Sequence, residues 1–344
     1  MARPSVANPG PLVRTPRVSV VIVNYNSWDD VARLVASLAA SPEVGSGLCE
    51  IVVIDNGSEG SAPESLREPG EGVRVIERGE NGGFAVGVNA GWRAARGDWI
   101  LVLNPDVVAD PGFLGQVVNR LEALDRDPPG IVGFGLRNPE GTPQPSVGTF
   151  PSLFRTVREQ LIPRSRRNYQ PVWRTRAGPV DWVTGACLLI NGPMMAATGG
   201  LDEEFFLYYE EVALCRTARN LGWRVEYDPT IEVVHLRPLQ NRAVSPRMRV
   251  ITRHSKLLYF RKHLPRRQFL GLSLVVAVEA RARGLWARLR HRPEDQRCWK
   301  VVRGVERTLR SGGKLGGRAV LVLADSVVEP EASSIRVSTT PPLA

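Results

Sequence analysis

Val18-Ser19-Val20-Val21-Ile22-Val23-Asn24-Tyr25-Asn26 is an apolar run that stops abruptly on polar side chains. Its β-branched residues favour extended backbone, and an apolar run without alternation reads as a strand buried on both faces. The next segment, Trp28–Ala40, repeats its apolar positions at helical period, with Val31, Leu34, Val35 and Leu38 on one stripe and Ser27 placed to cap the start. Further along, the runs Ile51–Ile54, Val73–Ile76, Trp99–Leu103 and Ile131–Phe134 alternate with the helical segments Phe84–Arg96 and Pro111–Leu124. Alternation of this kind predicts an α/β fold: a doubly wound, mainly parallel sheet with helices on both faces.

Residues 137–179 are rich in Pro, Gly and Arg and read as a long surface excursion. Order is expected to return with a strand at Val180–Ile190, a helix at Tyr209–Leu221 and short strands at Arg224–Tyr227 and Ile231–His235. The expected organisation is therefore a flexible leader at 1–16, an α/β domain at 17–240, a basic helical region at 241–328 and a disordered tail at 329–344. Pro246–His263 and Arg267–Arg290 are the helices expected in the basic region.

Composition bounds the function classes. The 344 residues suffice for one large α/β domain and a smaller appendage, and a hydrophobic fraction of 43% is that of a globular chain. Lys and Arg outnumber Asp and Glu by 45 to 35, with much of the excess beyond about residue 236, which suits an anionic partner such as nucleic acid, acidic phospholipid or a pyrophosphate-bearing lipid. Cys49, Cys187, Cys215 and Cys298 form no Cys-x-x-Cys pair, which argues against a zinc site or disulfide framework and suits a reducing cytoplasm. The apolar stretch Phe269–Val278 is much shorter than the roughly 20 residues of a membrane span.

In open α/β sheets ligands bind beyond the carboxyl ends of the strands. Here the runs end in Asn24-Tyr25-Asn26, Asp55-Asn56-Gly57-Ser58 and Asn104-Pro105-Asp106, so one rim collects Asp55, Asn104 and Asp106. No Gly-x-Gly-x-x-Gly follows the first strand and no Gly-Lys-Ser/Thr occurs, which argues against a dinucleotide oxidoreductase and a P-loop enzyme. A nucleotide held without a glycine cradle needs its diphosphate charge neutralised otherwise, and a divalent cation on a hard carboxylate such as Asp106 does this. The alternative for Asp106 is a turn or capping role ahead of the following helix. Asn81-Gly82-Gly83-Phe84 is a glycine-rich turn opening a helix, where backbone can approach a ligand closely; a plain turn and cap reads equally well.

Taken in order, Val20-Val21-Ile22-Val23-Asn24-Tyr25-Asn26, Val53-Ile54-Asp55-Asn56-Gly57-Ser58, Asn81-Gly82-Gly83-Phe84, Leu103-Asn104-Pro105-Asp106 and Glu210-Glu211 resemble the motifs of family 2 glycosyltransferases of the GT-A fold, most closely the bacterial rhamnosyltransferase-like branch. The resemblance runs from about Arg17 to His263. It implies an inverting enzyme; the cysteine reading places it in the cytoplasm, and the basic C-terminal region leaves a peripheral position on the inner face of the membrane open. The implied donor is a nucleoside diphosphate sugar, dTDP-rhamnose ahead of UDP-sugars. The implied acceptor is a lipid-linked or polysaccharide saccharide, and no nucleic acid is among the expected partners.

Carried residue by residue, the resemblance puts Asn24, Asp55, Asn81, Gly83, Asn104 and Asp106 at the donor nucleotide. Asp106 would hold Mg2+ or Mn2+, with asparagine at 104 in place of the first acid of an Asp-x-Asp motif. Thr184, Gly185 and Glu210 would lie on the acceptor side. Glu211 would be the general base that removes the acceptor proton as its oxygen attacks the anomeric carbon. For His235 two readings stand: a metal or phosphate contact, and a satisfied structural histidine. Arg242, Arg247 and Arg253 are candidates for holding donor phosphates. Glutamate at 211 is one methylene longer than the usual aspartate, and Ala213 stands where a further aspartate is usual. The second departure is the main support for an alternative, a non-catalytic sugar-nucleotide or glycan-binding protein. In the basic region, Leu270, Leu274 and Val278 followed by the arginines of 281–292 suit a helix lying on an anionic membrane or, equally, one packed on the catalytic domain.

Overall fold

A computed structural model describes residues 15–124, 127–159, 169–170, 176–237 and 244–328. The expected leader up to residue 14, the expected tail at 329–344 and Arg242 lie outside these described residues. In chain order the elements are β1 (Val18–Asn24), α1 (Trp28–Ala39), α2 (Pro42–Gly45), β2 (Cys49–Asn56), α3 (Glu64–Arg67), β3 (Val73–Arg78), α4 (Phe84–Ala94), β4 (Trp99–Leu103), β5 (Val107–Val108) and α5 (Phe113–Leu124). They continue with β6 (Ile131–Arg137), β7 (Pro143–Gln144), β8 (Val147–Gly148), α6 (Leu153–Glu159), β9 (Gly178–Pro179), β10 (Trp182–Val183), β11 (Cys187–Asn191), α7 (Gly192–Thr198), α8 (Glu210–Asn220) and β12 (Val225–His235). The C-terminal helices are α9 (Pro246–His263), α10 (Arg266–Leu289), α11 (Pro293–Arg310) and α12 (Gly317–Asp325).

The main sheet has the order β3-β2-β1-β4-β11-β6-β12-β5. β3, β2, β1 and β4 are mutually parallel, β11 inserts antiparallel to both β4 and β6, and β12 returns parallel to β6. β1 shows why both faces are covered. Val18, Val20 and Ile22 join the core made with α1 and α5. Val21 and Val23 point the other way, under α4. That helix lies close because Gly87 and Gly91 face the strand: a Cβ on Gly87 would stand 2.5 Å from Val23, and one on Gly91 would collide with Val21.

Three expectations change in detail. Val180–Ile190 is not one strand: β10 and β11 are separated by the turn Thr184-Gly185-Ala186, and β10 pairs with β8 of the preceding excursion. Conversely, Arg224–Tyr227 and Ile231–His235 merge into β12, whose register against β6 shifts between Asp228 and Glu232. Asp228 makes this irregularity by accepting from the Thr230 amide and hydroxyl at 3.0 and 2.6 Å. Ser27 occupies the N-cap of α1, yet its hydroxyl donates to the Tyr25 carbonyl and caps nothing.

The described chain divides into two compact units. The first contains the sheet, with residues up to 151, 158–202 and 211–237. The second comprises 152–157, 203–210 and 244–328. Within the second, α9, α10 and α11 pack together, and α12 lies against α9. α11 and α12 are additions to the two helices expected there. Among the described residues no helix is long and apolar enough to cross a membrane.

Candidate active site

Parallel pairing puts the last residues of β1 and β2 opposite each other, Asn24 against Asp55. The Asn24 amide donates to Asp55 Oδ1 at 2.8 Å and to Ser58 Oγ at 3.1 Å, and its Oδ1 accepts the Ser27 N–H at 3.1 Å. Ser58 donates its hydroxyl to Asp55 Oδ1 at 2.5 Å and its amide to Oδ2 at 3.1 Å. Asn24 is fully buried and fastens the rim. Asp55 is also buried, with three donors on its two oxygens.

The glycine-rich turn is held by a residue that motif reading passed over. Asn56, the last residue of β2, donates to Asn81 Oδ1 at 3.1 Å and to the Gly83 carbonyl at 3.0 Å. Its side-chain Oδ1 accepts from the Arg78 guanidinium and the Gly82 amide. Asn81 Oδ1 also accepts the Gly83 N–H at 3.0 Å. Gly83, at φ 94°, has a backbone that a side chain would strain. The only hint of Asn56 was its place beside Asp55 at a strand end.

Across the rim, Asn104-Pro105-Asp106 turns out of β4 into β5, with the Asn104 amide donating to the Ala186 carbonyl at 3.0 Å. β5 pairs antiparallel with the end of β12, Val107 opposite His235. This brings His235 Nε2 to 3.4 Å from Asp106 Oδ1. His235 Nδ1 is 2.8 Å from Gln144 Oε1, while the Gln144 amide donates to Asn138 Oδ1 at 2.9 Å. With the amide so oriented, Nδ1 carries the hydrogen, and in the neutral ring the Nε2 lone pair faces the carboxylate. Gln144 belongs to β7, so the excursion read as loop supplies the residue that orients the histidine.

Asp106 also borders a cavity of about 840 Å3 lined by Asn26, Trp28, Asp30, Arg33 and Arg237 among others. Arg237 forms an ion pair with Asp30 and lies 3.6 Å from Asp106 Oδ2. Arg247 and Arg253, considered for phosphate, are instead engaged within their own unit, with Asp325 at 2.6 Å and Glu279 at 2.8 Å. Among the described residues no group of three or more His, Cys, Asp or Glu is arranged to hold a metal ion.

The remaining motifs meet around Gly185. A Cβ there would lie 3.4 Å from the Phe84 ring and 4.0 Å from Glu211 Cβ, so the opening of α4, the Thr184-Gly185-Ala186 turn and α8 converge. Thr184 is fixed through its amide to the Ser146 carbonyl. Asn89 of α4 clasps the Leu201 backbone from both sides, at 2.8 and 2.9 Å, and Gly200 leaves room for it. Glu211 is half-buried, whereas Glu210, the first residue of α8, and Ala213 are buried. Tyr208 and Tyr209, directly before the glutamates, have φ of 67° and 72°. Bulky residues in that region are strained, a condition that folds retain mostly at functional sites. Burial pushes the Cys215 thiol of the same helix up to about 12, so it offers no competing nucleophile.

A family model described as Glycosyl transferase family 2 matches residues 19–171. N-acetylglucosaminyl-diphospho-decaprenol L-rhamnosyltransferase of Mycobacterium tuberculosis is 31% identical over 235 residues, which are 63% of this chain and 75% of the relative. The chain belongs to glycosyl transferase family 2. The transferase is also 24% identical over 232 residues to rhamnosyltransferase WbbL of Escherichia coli, covering 66% of this chain and 86% of that one. In three dimensions it resembles mannosyltransferase PcManGT of Pyrobaculum calidifontis, solved with GDP-Man and Mn2+. That match has a TM-score of 0.50 at 15% identity over 95% of this chain and 90% of the other, and bears on the fold alone. The fold is GT-A, and the transferase is a sugar-transferring enzyme of the rhamnosyltransferase-like kind.

Proposed function

We propose that the transferase moves a sugar, rhamnose ahead of others, from a nucleoside diphosphate donor to a hydroxyl of a lipid-linked or polysaccharide acceptor, by metal-dependent inverting displacement. The observation that carries this reading is the Asp106–His235 pair. Asp106 Oδ1 and His235 Nε2 face each other at 3.4 Å, with the ring fixed from behind by Gln144. Two protein donors fit Mg2+ or Mn2+, because such ions are usually bound by one or two side chains together with substrate phosphates and water. Bound there, the ion would neutralise the charge that develops on the departing diphosphate.

The chain's own residues do the rest. Asp55, anchored by Asn24 and Ser58, shapes the nucleoside end, while Asn81 and Gly83 set the backbone that approaches the donor. Asn104 positions the turn carrying Asp106 through its bond to Ala186. Glu211, beside Gly185 and Phe84, accepts the acceptor's proton as its oxygen attacks the anomeric carbon. Thr184, Gly185 and Glu210 belong to the acceptor side. The donor sugar and lipid-linked acceptor rest on the two rhamnosyltransferase relatives, one of which is named for a diphospho-decaprenol acceptor.

Calorimetric titration with dTDP-rhamnose, UDP-glucose, UDP-N-acetylglucosamine and GDP-mannose, each with Mn2+ and with chelator, tests the reading. Binding of dTDP-rhamnose that disappears with chelator is expected. Binding indifferent to chelator would remove the metal from the mechanism, and selective binding of another donor would replace rhamnose.

A further inference from the structure

α10 is finished on one side and bare on the other. Phe269, Leu272, Val276 and Ala280 are buried within the C-terminal unit. Leu270, Leu274, Val278, Leu285 and Leu289 are exposed, Leu274 at 64% and Leu289 at 70%. At helical period these residues fall within an arc of about 100°. Single surface leucines need no explanation, but five exposed apolar side chains sharing one face of a helix do. α6 adds to it. Its Leu153 sits against Gly271, where any Cβ would collide, and the next residue, Phe154, is 77% exposed.

The surroundings of the stripe are cationic. Residues 244–328 hold 20 Lys and Arg against 5 Asp and Glu. Arg267, Arg281 and Arg288 are exposed on the same arc, where long stems lie along apolar surface and lift the guanidinium above it. Half-exposed Trp286 is covered by Arg290 and Arg292, at 5.2 and 5.4 Å from its ring centre. An indole with an apolar body and arginines around it is typical of a water–lipid boundary. The face is a single convex helix, and no described helix can span a bilayer. Its apolar residues, with arginines set among them, complement a flat surface that is apolar beneath and anionic on top.

We propose that this face of α10, with Phe154 beside it, seats the protein on an anionic phospholipid bilayer, the leucines entering the interface and the arginines meeting lipid phosphates. The proposal is independent of the donor, metal and base assignments, since it concerns only the second unit. Flotation of the full-length protein with phosphatidylcholine vesicles, with and without phosphatidylglycerol, reads it directly. Recovery with the anionic vesicles alone, reduced by salt, is expected. Leu274→Glu and Leu285→Glu should each lower the bound-to-free ratio about tenfold. Leu221→Glu, at an exposed leucine of the first unit, should leave it unchanged, with circular dichroism confirming that each variant is folded. If Leu274→Glu unfolds the chain, Leu274→Ser takes its place. Equal recovery with neutral vesicles, undiminished flotation of the folded variants, or a solution dimer that Leu274→Glu converts to monomer would each overturn the proposal.

Discussion

The two ends of the parallel sheet both bury a carboxylate, but they treat it differently. At the amino end, Glu50 of β2 accepts from Ser19 Oγ and the Arg96 amide, both at 2.6 Å, and from the Arg96 and Arg74 guanidinium groups at 2.9 and 3.1 Å. Burial alone would raise its carboxyl, yet the bonds from Ser19 and Arg96 and the charge of Arg74 hold it below its ordinary value. At the carboxyl end, Asp106 faces His235 and Arg237, a half-exposed side chain. The first carboxylate has fixed partners and ties β1, β2, β3 and the turn before β4 together. The second meets a histidine at 3.4 Å and a half-exposed arginine at 3.6 Å. A fold of this kind keeps its rigid electrostatics at one end and its chemistry at the other.

If that division holds, changes at the rim alter activity without altering stability. Glu211→Gln should lower transfer by about 10²–10⁴-fold while leaving donor affinity and melting temperature near those of the parent. Asp106→Asn should lower transfer as much and also abolish the metal dependence of donor binding. Transfer assays alongside calorimetry separate the two. Near-normal turnover in Glu211→Gln would assign the base elsewhere.

The amino end should behave in the opposite way. Glu50→Gln should cost about 2–4 kcal/mol of stability, toward the low end because Arg74 and Arg96 are partly solvated, while turnover per folded molecule is kept. The pH dependence has a definite sign. A carboxylate whose folded pKa lies below its unfolded value stabilises fully above the unfolded value, about 4.5, and loses that contribution as pH falls through the folded value. Denaturant melts should therefore show the gap between parent and Glu50→Gln constant near neutrality and closing below about pH 4.5. A gap that persists into acid would mean that packing, not charge, is what glutamine fails to replace.

Much of this was legible in the sequence, and the illegible parts share a cause. β1, β2 and β4 announce themselves because a strand buried on both faces must be apolar throughout. Asn24, Asp55, Asn104 and Asp106 stand out because they stop such runs. What could not be read was partnership between distant segments. Gln144 sits on a two-residue strand and Asn56 beside a more conspicuous aspartate, and neither has a local pattern that reveals its bond to His235 or to Gly83. The break at Thr184-Gly185-Ala186 was hidden by small residues that do not interrupt an apolar run. α11 was missed although Trp299, Val302, Val305 and Leu309 mark its buried side, because Glu306 lies among them, buried and matched by Ser273, Arg303 and Arg310.

Gln144 offers a finer test, since it belongs to the rim but touches no substrate in the proposed scheme. Gln144→Leu removes the acceptor that fixes the His235 tautomer, and Mn2+ affinity measured by calorimetry should fall about 10–100-fold, as when other partners of metal-binding histidines are lost. Unchanged affinity would return His235 to a structural role.

The smallest effect expected is also the one whose sign matters most. Arg237 lies between Asp30 and Asp106 and competes with any cation that approaches the latter. Because its side chain is half-exposed, the interaction is weak, of the order of 0–1 kcal/mol. Arg237→Ala should therefore strengthen Mn2+ binding in the absence of donor by up to about fivefold, and the gain should shrink as salt screens the pair in the parent. Weaker Mn2+ binding in Arg237→Ala would show the reverse, that the guanidinium holds Asp106 in its binding position. Asp106 would then have a fixed partner just as Glu50 has, and the contrast between the two ends of the sheet would fail at its central residue.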